Sequence, residues 1–505
     1  MEKREVLKLC MENGFFLDRG MLDFFIGLDK SEVKRVINEL KGFDISESIL
    51  TEKVFDKYKG RLGFVSDNEE EEVKGIKILR NIKEGSRKLK SGDFVNYFRA
   101  RFEVLRDILI KKGFDNLVSI RRLGNENNFS SVIGMIYDKR VTKNKNLLIE
   151  IEDLTGRTVV LINRDNKQLF ERARSLLLDD VVAFKCSGSS KMLFASEFFY
   201  PDSCLDSERF GNKDEFVAFS GGFYVGSKGF LEESLMKFIN WLNGGVGDSR
   251  QRGLAKKVKY LILTGDNIEG VGVYPGQEKD LKIKGCREQY EKLFEILGKI
   301  RKDIEIVMCP GSHDAVWIGE PQPAISEKWG GSLGSLKNLK LVSNPSLVEV
   351  DGLKILVYHG GSLDKFVDEI TELRAEGGIG CPVRIVEEIL KRRHLAPVYG
   401  EMDIVPNSIK DDLVLEDLPD VFVVGGQNGA TVRNYNNILT ISTSCWQNNS
   451  NIDKSDFCRV PIFNLKSKEV KILDFSENEV KWEEGKDISC SFDCQYSGGK
   501  DGKVL

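Results

Sequence analysis

Tyr260-Leu261-Ile262-Leu263-Thr264-Gly265-Asp266-Asn267 is an apolar run that ends abruptly in a glycine and a carboxylate. Such a run bounded by turn formers reads as a buried strand, with Asp266 in the loop at its carboxyl end. In layered α/β sheets ligands bind at that end, which makes Asp266 a candidate site residue. The arrangement recurs downstream. Ile304 to Met308 runs into Pro310-Gly311-Ser312-His313-Asp314, and Leu353 to Tyr358 runs into His359-Gly360. Further strand-like runs, Phe216 to Ser220, Val421 to Val424 and Leu439 to Ser442, alternate with helical segments between about Glu215 and Asp474. That alternation is the pattern of a layered α/β domain. A carboxylate placed like Asp266 can bridge two divalent cations, which in such sites lie roughly 3.5 to 4 Å apart.

Composition limits what that site can be. Only three histidines, His313, His359 and His394, exist to serve as imidazole ligands or general acids, which excludes a histidine-rich metal centre. A chain of 505 residues is too long for one core, so about three domains are expected. Lys+Arg 75 against Asp+Glu 79 gives a net charge of -4, so an anionic partner must be met by local basic patches. The 10 cysteines are irregularly spaced and read as unlinked thiols in a reducing compartment. The start, Met1-Glu2-Lys3-Arg4-Glu5, lacks the apolar core of a signal peptide, and no run of apolar residues is long enough to span a bilayer. A cytoplasmic protein with no membrane partner is expected.

Working outward from the α/β region (213–475), residues 1–58 read as a helical unit. After Ser31 as a candidate N-cap, Val33, Val36, Ile37 and Leu40 fall on one helical face. Residues 59–115 read as a charged linker, acidic from Asp67 to Glu72 and basic from Lys74 to Lys90, followed by an amphipathic helix carrying Phe94, Phe98, Phe102, Leu105 and Leu109. Residues 116–212 switch to short strands: Val132 to Ile136, Leu147 to Glu152, Thr158 to Ile162, Val181 to Phe184 and Met192 to Phe199. One helix, Gln168 to Leu177, lies between the third and fourth. That order fits an oligonucleotide/oligosaccharide-binding (OB-fold) barrel. Lys139, Arg140, Lys143 and Lys145 cluster between its first two strands, a candidate DNA contact or a protein-docking loop. The polar, Gly/Lys-rich tail, 476–505, is expected to be disordered.

Gly265-Asp266, Gly311-Ser312-His313-Asp314 and Tyr358-His359-Gly360, in this order, resemble the calcineurin-like metallophosphoesterases, whose pattern is Asp-x-His, Gly-Asp, Gly-Asn-His-Asp, His, Gly-His-x-His. Longer stretches narrow the likeness: Val225-Gly226-Ser227-Lys228, Val271-Gly272-Val273-Tyr274-Pro275-Gly276-Gln277, Glu320-Pro321-Gln322-Pro323-Ala324, Arg393-His394-Leu395-Ala396-Pro397 and Cys445-Trp446-Gln447. These, with Leu147 to Arg157 in the barrel, are similar to the small subunits of archaeal family D DNA polymerases over about residues 116 to 475. The resemblance implies a multidomain protein with a helical N-terminal unit, an OB-fold barrel and a four-layer α/β metallophosphoesterase-like domain. In the family the small subunit is a manganese-dependent 3'-5' exonuclease that pairs with a large catalytic subunit.

Carried over residue by residue, the family's metal-contacting positions fall on Gly222, Tyr224, Asp266, Ser312, His359, Gly426 and Asn428. Only Asp266 and His359 keep the family residue. His313 and Asp314 keep the transition-state pair, so Asp266, His313, Asp314 and His359 are the remnants of a catalytic set. Neutral oxygens on Tyr224, Ser312, Gln427 or Asn428 supply geometry but no charge to a cation pair. The expectation is a replication subunit that scaffolds the large catalytic subunit, contacts DNA, takes a sliding clamp as a further candidate partner, and has lost its exonuclease and needs no cofactor. The alternatives are an active exonuclease with a remodelled Mn2+ or Mg2+ site, and a stand-alone single-stranded DNA-binding protein.

Overall fold

The computed structural model describes residues 3–27, 33, 36–37, 40, 49–51, 55, 72–73, 75–82, 90–124, 128–401, 403–407, 410–425, 429–448, 457–477 and 479–484. The chain divides into two compact units, Met1–Glu71 and Glu72–Leu505.

In the first unit the helices Lys3–Glu12 and Arg19–Gly27 accompany a two-stranded parallel pairing of Phe16–Leu17 with Ile49–Leu50. Its core is Val6, Cys10, Phe25 and Phe55 together with Val33, Val36, Ile37 and Leu40, the stripe expected from helical spacing. Ser31 lies outside the described residues.

The second unit holds a closed barrel of strands Asn128–Val141, Leu147–Asp153, Gly156–Ile162, Val181–Ser189 and Met192–Phe199. Counted along the chain they lie in the order one, two, three, five, four, with the fourth closing onto the first. The helix Lys167–Arg174 sits between strands three and four, capped by the Asn166 side chain on the Leu169 amide. Apolar residues alternating at Leu147, Ile149 and Ile151, and at Val160 and Ile162, fill the interior with Val182, Phe184 and Phe198. The helix Ser91–Ile110 lays Phe102, Leu105 and Leu109 onto the outside of the barrel against Ile133, Met135, Val181 and Ala183.

The remainder is two seven-stranded mixed sheets. One contains Phe216–Ser220, Val258–Leu263 and Glu305–Met308 as parallel neighbours, extended by Arg459–Asn464, Val470–Asp474 and Lys481–Glu484. The other places Leu353–Tyr358 between Ser346–Val350 and Val421–Val424. Val217, Ile262 and Val307 of the first sheet share a core with Val348, Ile355, Val357 and Val423 of the second, so the sheets pack face to face. Helices cover the outer faces: Glu232–Leu242 and Cys286–Leu297 on the first, Pro382–Arg392 on the second.

Three expectations are corrected. Ile76–Arg80, placed in a charged linker, is a strand paired antiparallel with Ser346–Val350. Its apolar signal, Ile76 and Ile78 in alternation with Leu79 beside them, is short and is masked by the surrounding lysines and arginines. Lys481–Glu484, assigned to the tail, adds a strand beside Val470–Asp474; residues 485–505 lie outside the described residues. Cys10, Cys186, Cys204, Cys286, Cys309, Cys445 and Cys458 are free thiols, as expected, but Cys381 is disulfide-bonded. No described helix is long and apolar enough to cross a membrane.

Candidate functional site

The loops after Val258–Leu263, Glu305–Met308 and Leu353–Tyr358 meet where the two sheets' carboxyl ends come together. Close approach is made possible by glycine. A Cβ at Gly265, whose φ is +99°, would stand 2.6 Å from the Pro310 carbonyl and 2.7 Å from His359 Nδ1. No side chain fits there. Asp266 and Tyr224 themselves adopt left-handed backbone, each with φ of 50°. For residues other than glycine this costs roughly 1 to 3 kcal/mol and persists only where surrounding structure imposes it.

Asp266 is 1% exposed, and both of its oxygens are engaged by protein groups. Tyr224 donates its hydroxyl to Oδ2 at 2.8 Å. Oδ1 accepts the His313 amide at 2.9 Å and the Ser312 hydroxyl at 3.4 Å, and His359 Nε2 faces it at 3.4 Å. Burial would raise the pKa of this carboxyl. The opposing pull of His359 and His313, the His313 amide and the Tyr224 hydroxyl prevails and holds it below its ordinary value. His359 is fixed from behind: Nδ1 lies 2.9 Å from the Thr264 carbonyl, and its backbone N–H donates to Asn344 Oδ1 at 2.8 Å. Burial opposes protonation of His359, but Asp266 beside it raises its pKa overall. The His359 ring and a tyrosine hydroxyl thus flank the carboxylate.

His313 and Asp314, expected to act as a pair, point to different places. His313 Nδ1 meets the Glu269 carbonyl at 2.8 Å, and its ring packs edge-on against Tyr224 with centroids 5.0 Å apart. Asp314 is buried, and its Oδ2 accepts the Gly311 amide at 2.9 Å, the Asn267 amide at 3.1 Å and Asn267 Nδ2 at 3.0 Å. Oδ1 accepts the Tyr290 hydroxyl at 3.1 Å. Burial, reinforced by Asp266, pushes the Asp314 carboxyl up to about 6. Asp314 braces the loop rather than facing the Asp266 pocket.

Gly222 was expected, from the resemblance, at the position of the family's first carboxylate. Its φ is +58°, and a Cβ there would lie 2.8 Å from Cys445 Cβ. Gly426, Gln427 and Asn428 lie outside the described residues. Among the described residues no three His, Cys, Asp or Glu side chains converge where they could hold a metal ion.

Three of the segments quoted for the resemblance, those of Ser227, Gln277 and Gln447, meet at Glu269, and a fourth places Glu320 behind His359, which single-residue reasoning missed. Gln277 Nε2 donates to the Glu269 carbonyl at 2.9 Å, and Gln447 Nε2 donates to Glu269 Oε2 at 2.9 Å and to Ser227 Oγ at 2.8 Å. Trp446 donates to Ser220 Oγ at 3.0 Å. Glu320 accepts the Tyr358 hydroxyl at 2.6 Å and Asn344 Nδ2 at 3.2 Å, steadying the asparagine that holds His359. The signal for these residues was present as neighbouring text, with no way to see that it converged. His394 is buried in a separate cluster, with Nε2 2.8 Å from Asp411 Oδ2 and Nδ1 accepting the Ala396 amide.

On the barrel, the basic cluster divides. Lys139 and Arg140 lie on the first strand rather than in the loop after it. Lys139 turns its ammonium to the carbonyls of Arg174 and Leu176, and burial lowers its pKa, so it is a structural residue. Arg140, Lys143 and Lys145 are exposed.

Residues 217–432 match the B-subunit family of DNA polymerases alpha and epsilon. The chain is 38% identical over 391 residues to the DNA polymerase II small subunit of Methanothermobacter thermautotrophicus, covering 76% of this chain and 80% of that one. It is 34% identical over 391 residues to that of Archaeoglobus fulgidus, covering 76% and 77%. It is 34% identical over 421 residues to that of Pyrococcus furiosus, covering 79% and 68%.

Proposed function

From the premise that this chain belongs to the DNA polymerase II small subunit family, we propose that it serves in DNA replication as a scaffold for the catalytic subunit, with its own exonuclease centre retired. Membership makes the chain part of a heteromeric polymerase. The barrel is read as an OB-fold and the two-sheet body as a metallophosphoesterase-like domain. DNA is its nucleic-acid partner, and a sliding clamp is a further one.

The observation that supports retirement is the closure of Asp266. A carboxylate that bridges two cations, through one oxygen or both, must leave at least one oxygen open to them, whereas here Tyr224 donates to one and His313 and His359 face the other. Manganese favours about six oxygen or nitrogen donors in near-octahedral geometry. The described residues offer Asp266 and His359 turned towards each other, so they do not fit a two-manganese centre. Around this pocket the Glu269 and Glu320 networks are complete, which is what retention for assembly would keep.

The test is degradation of a mismatched primer 3' end by the complex of this chain with its catalytic subunit, with manganese supplied. Wild type, Asp266→Asn and Asp266→Ala are expected to give the same background rate, with the complex intact on gel filtration. A manganese-dependent rate that Asp266→Asn abolishes would establish the remodelled exonuclease instead. Failure of the wild-type chain to co-purify with the catalytic subunit would defeat the scaffold role.

A further inference from the structure

The outer face of the barrel carries a cross-strand row that the sequence pattern did not reveal. Arg140 pairs with Leu148, Leu148 with Leu161, and Leu161 with Phe194, across the first, second, third and fifth strands. Residues directly opposite one another in neighbouring strands project from the same face. Their inward neighbours, Leu147, Ile149, Val160, Ile162 and Leu193, are buried in the barrel core, so this row points outwards. Phe194 is 48% exposed and Leu148 and Leu161 are partly covered. Three strand spacings of roughly 4.8 Å make the row about 14 Å long.

Cations border one side of it. Lys143 and Lys145 lie in the hairpin that joins the first two strands, and Lys145 takes a positive φ of 61° there. Arg164 is fastened beside the same hairpin, its amide donating to Asn146 Oδ1 at 3.1 Å. Arg140, Lys143, Lys145 and Arg164 are all exposed, and among the described residues none has a carboxylate partner. The carboxylates of this face stand one or two register steps away, at Asp138, Glu150 and Glu152. Of these, Glu152 accepts from Arg157 at 2.8 Å and Glu150 lies 3.9 Å from it. The hairpin end of the face is therefore positive although the whole chain carries a net charge of -4.

We propose that this face holds a short unpaired stretch of DNA, with a base stacked on Phe194 and backbone phosphates set against Arg140, Lys143, Lys145 and Arg164. The proposal deepens the reading of the chain as a polymerase subunit and rests on it for the nature of the partner. Unpaired cations at one end of the row and an exposed aromatic ring at the other are the two elements single-strand binding requires: charge for the backbone and a π-face for a base, without readout of sequence. An acidic protein segment would satisfy the cations but leaves the bare ring without a role.

Fluorescence anisotropy of labelled oligothymidylate with the full chain tests it, alone and in complex with the catalytic subunit. Phe194→Ala is expected to weaken binding between about fivefold and a hundredfold, and Phe194→Trp to retain it. Replacing Arg140, Lys143 and Lys145 by glutamine is expected to make the log–log salt slope shallower by about 2, since each phosphate contact on a single strand contributes roughly 0.7. Equal affinity of wild type and Phe194→Ala, or displacement of the oligonucleotide by polyglutamate at matched charge, overturns the proposal. Assembly is scored on the same samples. Phe194→Ala that forms the complex but loses the strand isolates the DNA site, whereas a wild-type chain that binds no catalytic subunit defeats the polymerase-scaffold reading instead.

Discussion

Arg101→Ala is expected to destabilise the second unit by about 3 to 5 kcal/mol, as breaking a buried ion pair from one side does. Arg101 is fully buried in the helix Ser91–Ile110. Its Nε donates to Asp411 Oδ2 at 2.7 Å, one terminal nitrogen donates to the Pro397 carbonyl at 2.5 Å, and the other to the Tyr97 hydroxyl at 2.9 Å. Asp411 also accepts from His394 and from the Leu413 amide at 2.9 Å. Three segments far apart in the chain are thereby pinned at one carboxylate, and removing the guanidinium leaves that carboxylate buried with only neutral donors. Arg101→Met with Asp411→Asn should recover much of the loss, because no net charge then remains inside. Urea midpoints of wild type and the two variants decide it. A loss below about 1 kcal/mol for Arg101→Ala would place the pair among interactions of surface strength.

The same cluster sets a pH dependence whose sign follows from the hydrogen bonds. Nδ1 of His394 accepts from the Ala396 amide, so the ring is neutral with its proton on Nε2, shared with Asp411. Burial, with Arg101 adding to it, pushes the histidine pKa from 6.5 down to about 4. The unfolded chain takes up this proton below about 6.5 while the folded chain does not until about 4. His394 therefore contributes a loss of stability as pH drops through that window, opposite in sign to the raised carboxyl of Asp314, and the difference in stability between wild type and His394→Gln is expected to shift against wild type from about 6.5 to about 4. A difference in urea midpoint between the two proteins that stays constant between those pH values would contradict the neutral assignment.

How much of this was readable before the fold depends on whether a residue's role is local. Phe216–Ser220, Leu353–Tyr358 and Val421–Val424 were legible to the residue because fully buried strands are continuous apolar runs with sharp ends. Ile76–Arg80 was not, since its partner strand begins at Ser346 and its own period of two is set in a basic segment. Asp266, His359 and Gly222 were named as candidates by position after a strand and by resemblance, and the fold brings Asp266 and His359 together. That Tyr224 closes Asp266 depends on a hydroxyl arriving from a residue 42 positions away, which no spacing rule contains. Lys139 failed for the same reason in reverse. Its charge looked available in the sequence, and its carbonyl partners at Arg174 and Leu176 become neighbours only when the barrel closes.

Restoring the family residues by Gly222→Asp with Tyr224→His is expected to leave the exonuclease at background and to destabilise the fold by roughly 2 to 4 kcal/mol. At Gly222 the backbone is left-handed, and the new Cβ would press on Cys445, whose neighbour Trp446 packs against Phe223 and Phe238. At position 224 the phenol that satisfies Asp266 and packs on His313 would be lost. The new carboxylate would also be buried near Asp266, whose charge together with burial already pushes Asp314, on the far side of the loop, up to about 6, so without a cation a further negative charge is resisted. On the proposed reading, the packing of Tyr224 and Cys445 now fills the pocket, and two substitutions are not expected to reopen it. Thermal unfolding with and without manganese, alongside the mismatched-primer assay, distinguishes the cases. If the double variant gained manganese-dependent degradation together with a manganese-dependent rise in melting temperature, the pocket would be only two residues from a metal centre, and Tyr224 would be a reversible plug rather than part of the packing.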